Sequence, residues 1–111
     1  MKEYKIILNS RVEKKLFDIF EYILLNQSRK EAELLLLNIE QSIFSLKTFP
    51  RRFAKINENL SFSNYEVRNI FSNSFRIIYV ILCDSVRILD IRHSAMEPLS
   101  KNDIKDFYEK T

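Results

Sequence analysis

The spacing of apolar and polar positions changes along the chain, and each change marks an element. Residues 4–8, YKIIL, are a short β-branched run and predict a strand. NSRVEKK follows at once, with Ser10 and Glu13 in capping-box spacing, and predicts a helix from about Arg11 to Leu25. Val12, Leu16, Ile19, Phe20 and Ile23 recur there on a 3.6-residue period, one stripe that must face a core. NQSRKE breaks the stripe and offers a second box, Ser28 with Glu31, opening a helix with Ala32, Leu35, Leu36, Ile39, Ile43 and Leu46 on one face. So short a connection predicts an antiparallel helical hairpin. TFP ends it, because Pro50 disfavours helical geometry at Phe49. Leu34, Leu37 and Phe44 fall outside the core stripe and offer apolar surface to a partner.

Periodicity is lost from Pro50 to Ser63, and the basic segment PRRFAKINENLS predicts a surface loop. NYEVRNIF, SFRIIYVILC and VRILDIRH then read as three strands of a meander separated by SNS and DS. The middle run is apolar on both faces, as an interior strand should be. In PLSKNDIKDFYEKT, Ser100 and Asp103 stand at N-cap and N3 spacing and predict a short C-terminal helix. The expected class is α+β: an N-terminal strand and a three-stranded antiparallel meander forming an antiparallel sheet on which the helical hairpin packs, in one domain over residues 1–111.

The chain has no glycine, so both β-hairpins are expected to use Asn73 and Asp84 where the backbone needs positive φ. With Asp84 and Ser85 as the centre of a two-residue turn, Arg76 lies opposite His93 and Tyr79 opposite Asp90 as a hydrogen-bonded pair. A three-residue SNS turn adds Arg68 to the face of Arg76 and His93, with Arg92 pointing away. A two- or four-residue turn puts Arg68 on the other face.

Composition narrows the class further. At 111 residues, 46% hydrophobic and 13% aromatic, the chain is long enough for one two-layer core and far from the signature of disorder. No apolar run approaches the roughly 18–20 residues of a membrane span, and MKEYKIILN is too soon charged for a signal peptide. A cytoplasmic protein without membrane contact is expected. The single cysteine, Cys83 in RIIYVILC, excludes an intrachain disulfide or a CxxC site and predicts an inert buried thiol. A net charge of +3 suits an anionic partner without requiring one.

Candidate chemistry centres on His93, the only histidine. Beside Arg68 and Arg76, which can grip phosphate, a neutral imidazole could move a proton during phosphodiester cleavage; neighbouring positive charge favours a base over an acid. Set against this, a strand-end histidine and arginines often do no more than edge a sheet. One histidine and one distant cysteine make no metal site, and no cofactor is expected. In RRFAK, Arg51, Arg52 and Lys55 could hold a nucleic-acid backbone with Phe53 stacking on a base, or form a solvated loop.

The ordered set of LKTFP, VRN, SFRIIYVI and VRILDIRHSAMEP resembles the RelE/ParE family of bacterial toxins, over nearly the whole chain from Tyr4 to about Pro98. The resemblance implies a helical hairpin on an antiparallel sheet, a cognate antitoxin that wraps the toxin, and a growth-arresting target. IRH looks nearer the ParE branch, which implies a toxin that inhibits DNA gyrase with Arg68, Arg76, Arg92 and His93 in target binding. The RelE alternative is a ribosome-dependent messenger RNA endoribonuclease, with Arg68, Arg76 and His93 catalytic. Met96 stands where this branch usually shows an arginine, so an attenuated member that only binds antitoxin is a third reading.

Overall fold

The computed structural model describes residues 2–55 and 66–93. In chain order these form β1 (Lys5–Ile7), α1 (Ser10–Asn26), α2 (Arg29–Ser45), a 3-10 turn (Pro50–Arg52), β2 (Glu66–Ser72), β3 (Phe75–Ile81) and β4 (Ser85–His93). The expected C-terminal helix and Met96 lie outside the described residues.

The two helices form where the apolar stripes predicted them, with different caps. Asn9, not Ser10, caps α1: its side chain accepts from the Val12 N–H at 2.8 Å. At α2 the expected cap holds, the Ser28 hydroxyl accepting from the Glu31 N–H at 3.1 Å. That helix stops at Ser45, before the TFP signal, and Phe49 is then left-handed at φ 50°, ψ 53°. A β-carbon opposes that conformation at a cost of about 1–2 kcal/mol. The turn it creates aims the Pro50 carbonyl at the buried Tyr79 hydroxyl, which donates to it at 2.6 Å.

The sheet runs in the order β1-β4-β3-β2. The meander is antiparallel, as expected, but β1 pairs parallel with β4, so the sheet is mixed. The helical hairpin is thus the crossover between two parallel neighbours, and it covers one sheet face. Val12, Ile39, Ile43 and Leu46 from the helices meet Ile70, Ile77, Tyr79, Ile81, Val86, Ile88 and Ile91 in one core. The middle strand is buried on both faces from Ile77 to Ile81, as its apolar run predicted.

Both hairpins differ in register from the expectation. Ser72 pairs with Phe75, so the first turn is the two residues Asn73 and Ser74, not three; this is the alternative that puts Arg68 on the other face, opposite Tyr79. Asn73 does take positive φ, at 54°. In the second hairpin the central residues are Cys83 and Asp84, with the Leu82 N–H donating to the Ser85 carbonyl at 2.8 Å. Among the described residues only Phe49 and Asn73 have positive φ, so Asp84 does not. Cys83 at this turn is exposed, not buried.

An unprimed turn splays the strands it joins. A bulge follows: Ile78 faces Asp90 but Tyr79 faces Ile88, leaving Leu89 as the extra residue. A bulge bends and twists its strand locally, which returns β4 to the sheet. It also switches which positions face the helices: Val86 and Ile88 before it, Ile91 after it.

Candidate functional site

The bulge decides the geometry of the predicted site. Arg76 faces Arg92, and His93 faces Phe75, so Arg76 and His93 are not the cross-strand pair the DS turn implied. By strand alternation Arg76 and Arg92 stand on the face away from the helices, and His93 on the helix side. There its ring meets Phe75 edge-on, with centroids 5.5 Å apart at 80°. Arg68 sits by Tyr79, four positions along β3 from Phe75, about 13 Å at the usual rise. The structure therefore divides Arg68, Arg76 and His93 among three surroundings.

Arg68 has structural partners. It donates twice to Oε2 of Glu66, at 3.0 and 3.1 Å, and to the Phe53 carbonyl at 2.5 Å. With the Lys55–Arg68 bridge and the Asn69 N–H to Ala54 carbonyl bond of 3.1 Å, it ties the 53–55 segment to the outer edge of β2. Arg51 reaches Glu66 from the other side at 3.2 Å and donates to the Tyr4 hydroxyl at 3.0 Å. Burial alone would raise the Glu66 pKa; hydrogen bonds from Arg68 and Arg51 outweigh it and hold the carboxyl below its ordinary 4.5. Burial pushes the Tyr79 hydroxyl up to about 12, so it stays a donor to Pro50.

Asp90 was expected opposite Tyr79; it lies at the bulge with other partners. Only 1% exposed, it accepts from Lys15 of α1 at 2.5 Å and from Nε of Arg92 at 2.9 Å. Its Oδ1 also accepts from the Ile91 N–H at 2.8 Å. One carboxylate thus ties α1 to the sheet and orients Arg92. Across β2, β3 and β4, Phe71, Arg76 and Arg92 form a single row of facing residues. Phe71 is 59% exposed. Sequence reasoning missed it because NYEVRNIF reads as an ordinary strand; its place just before a polar turn was the available signal.

The helices carry a second exposed surface. Leu34, Leu37 and Phe44 are exposed, as expected, and Phe17, Tyr22 and Leu25 join them from α1. Between the helical hairpin and the His93 end of the sheet lies a groove of about 870 Å³, with Ile19, Tyr22, Leu34, Leu35 and Phe75 in its wall and Lys15, Asp18 and Glu31 at its rim. Among the described residues no helix is long and apolar enough to cross a membrane.

The family model for the ParE toxin of the type II toxin-antitoxin system parDE matches residues 6–98. The chain belongs to the ParE toxin family. The mixed sheet with a helical crossover is also the fold of a solved structure of the chromosomal ParDE toxin-antitoxin system from P. aeruginosa. That likeness has a TM-score of 0.68 at 13% identity, covering 82% of this chain and 96% of the other. No curated protein matches the sequence. For this ParE toxin, the family and the fold agree.

Proposed function

We propose that this ParE toxin arrests growth by binding DNA gyrase and is neutralised by a cognate antitoxin laid across the helical hairpin and its groove. The observation that carries the gyrase reading is the division of Arg68, Arg76 and His93 among separate surroundings. A nuclease needs a proton-transfer group and a phosphate grip within reach of one scissile bond. A binding toxin needs only a contact surface, and the Phe71–Arg76–Arg92 row supplies an aromatic with two guanidiniums in register. His93 is the strand-end neighbour of that row, turned to the helix side at the same end of the sheet, and Arg68 supports the sheet from its ion pair with Glu66. The antitoxin reading is supported by Leu34, which lines the groove, and by Leu37 and Phe44, exposed further along the same helix, since exposed apolar surface favours a partner.

Expression in cells, followed by DNA-damage signalling and amino-acid incorporation, separates the targets. Damage signalling should precede any fall in translation, persist in His93→Ala and fade in Arg76→Ala. Early translational arrest with site-specific message cuts, abolished by His93→Ala, would replace this reading with the ribonuclease. Co-purification with the product of a neighbouring gene, without arrest when the chain is expressed alone, would identify a member that only binds antitoxin.

A further inference from the structure

At the opposite end of the sheet, where β1 begins and the β3–β4 hairpin turns, a shallow concavity of about 340 Å³ is lined by Lys2, Tyr4, Phe49, Pro50, Arg51 and Arg52. It is about 23 Å along β4 from Arg92 at the usual strand rise. Phe49 stands on it 63% exposed and left-handed. The backbone there needs positive φ, which asparagine tolerates and a phenylalanine β-carbon opposes. The fold alone therefore does not favour an aromatic at this position, and the ring is left facing water.

The cations around it are held in place by their own contacts. Arg51 is bonded to Glu66 and to the Tyr4 hydroxyl, with its side chain still 52% exposed. Arg52 donates to the Thr48 carbonyl at 2.7 Å, which anchors it beside the end of α2, and its guanidinium lies 4.6 Å over the Phe53 ring. Lys2 lies 4.9 Å over the Tyr4 ring and donates to the Cys83 carbonyl at 2.6 Å. Phe53, the ring the basic segment first suggested for stacking, is half-buried and packs against the core. Lys55 pairs through its backbone with Arg68 and does not line the concavity.

A flat exposed ring beside fixed cations matches single-stranded nucleic acid, in which a base stacks while the flanking phosphates meet guanidinium and ammonium groups. We propose that this shelf binds a single-stranded nucleic-acid segment, one base on Phe49 and its phosphates against Lys2, Arg51 and Arg52. An acidic peptide satisfies the cations but leaves the ring without a partner. The site is separate from the Phe71–Arg76–Arg92 row, and it stands whether or not gyrase is the target.

The test is fluorescence anisotropy of a labelled oligo-dT 15-mer with the purified full chain, alongside thermal melts of each variant. Wild type should bind, with affinity falling as salt rises. Phe49→Asn should keep or raise the melting temperature, because asparagine suits the left-handed backbone, while weakening binding about tenfold. Lys2→Glu should weaken binding and flatten the salt dependence, whereas Lys30→Glu, the same charge change on exposed α2 surface, should have little effect. Absence of wild-type binding near physiological salt, equal binding by Phe49→Asn, or equal losses in Lys2→Glu and Lys30→Glu would overturn the proposal. Polyglutamate competing as well as the oligonucleotide would overturn it in favour of an acidic peptide.

Discussion

The two β-hairpins share β3 but hold their registers by different means. The first turns on Asn73 and Ser74, with positive φ at the first central position, a conformation asparagine tolerates. Its ladder then runs from Ser72–Phe75 to Glu66–Ile81 without interruption. The second turns on Cys83 and Asp84 with no positive φ, and its ladder is broken at Leu89. What locates that hairpin is tertiary: Leu89 is fully buried, and Asp90 is bound to Lys15 of α1, Arg92 and the Ile91 N–H. A chain without glycine can close one hairpin by local turn chemistry and the other by anchoring its far strand.

Removing the tertiary anchor should have the largest effect. Asp90→Ala should lower the unfolding free energy by about 3 kcal/mol, because it leaves Lys15 and the mostly buried Arg92 without their shared carboxylate. Denaturant unfolding measures this; a loss below about 1 kcal/mol would show that the bulge is held by something else. Leu89→Ala should cost about 2–3 kcal/mol as a buried truncation while keeping the Ile77–Ile91 pairing, read by cross-strand proton contacts. A return to continuous pairing through Tyr79 would instead make Leu89 the cause of the bulge.

The smallest effects should separate the two turns. Asn73→Ala should cost about 1 kcal/mol, because alanine opposes the positive φ that asparagine accepts. Asp84→Ala should cost less than about 0.5 kcal/mol, since its backbone needs no special residue. Equal costs at both positions would remove the distinction between a locally set and a tertiary-set hairpin.

The same distinction separates what could be read along the chain from what could not. Helix positions, the Ser28 cap, the interior character of β3 and the need for Asn73 at a turn all follow from local periodicity and side-chain chemistry, which act within a few residues. So did the exposed apolar row of α2, because Leu34, Leu37 and Phe44 break the core stripe. The ordered motifs also pointed to the RelE/ParE toxins, and the family match over residues 6–98 places the chain in the ParE family. Side-chain direction in a strand, by contrast, reverses with a one-residue shift. Taking the first turn as three residues instead of two, placing the second one residue late, and having no local sign of the bulge at Leu89 were together enough to bring Arg68, Arg76 and His93 onto one face. The folded chain instead sets Arg76 beside Arg92, turns His93 toward Phe75 and joins Arg68 to Glu66, because burial of Leu89 and the contacts of Asp90 with α1 choose the register. Those contacts link residues 75 positions apart, a coupling that only the packed tertiary structure contains.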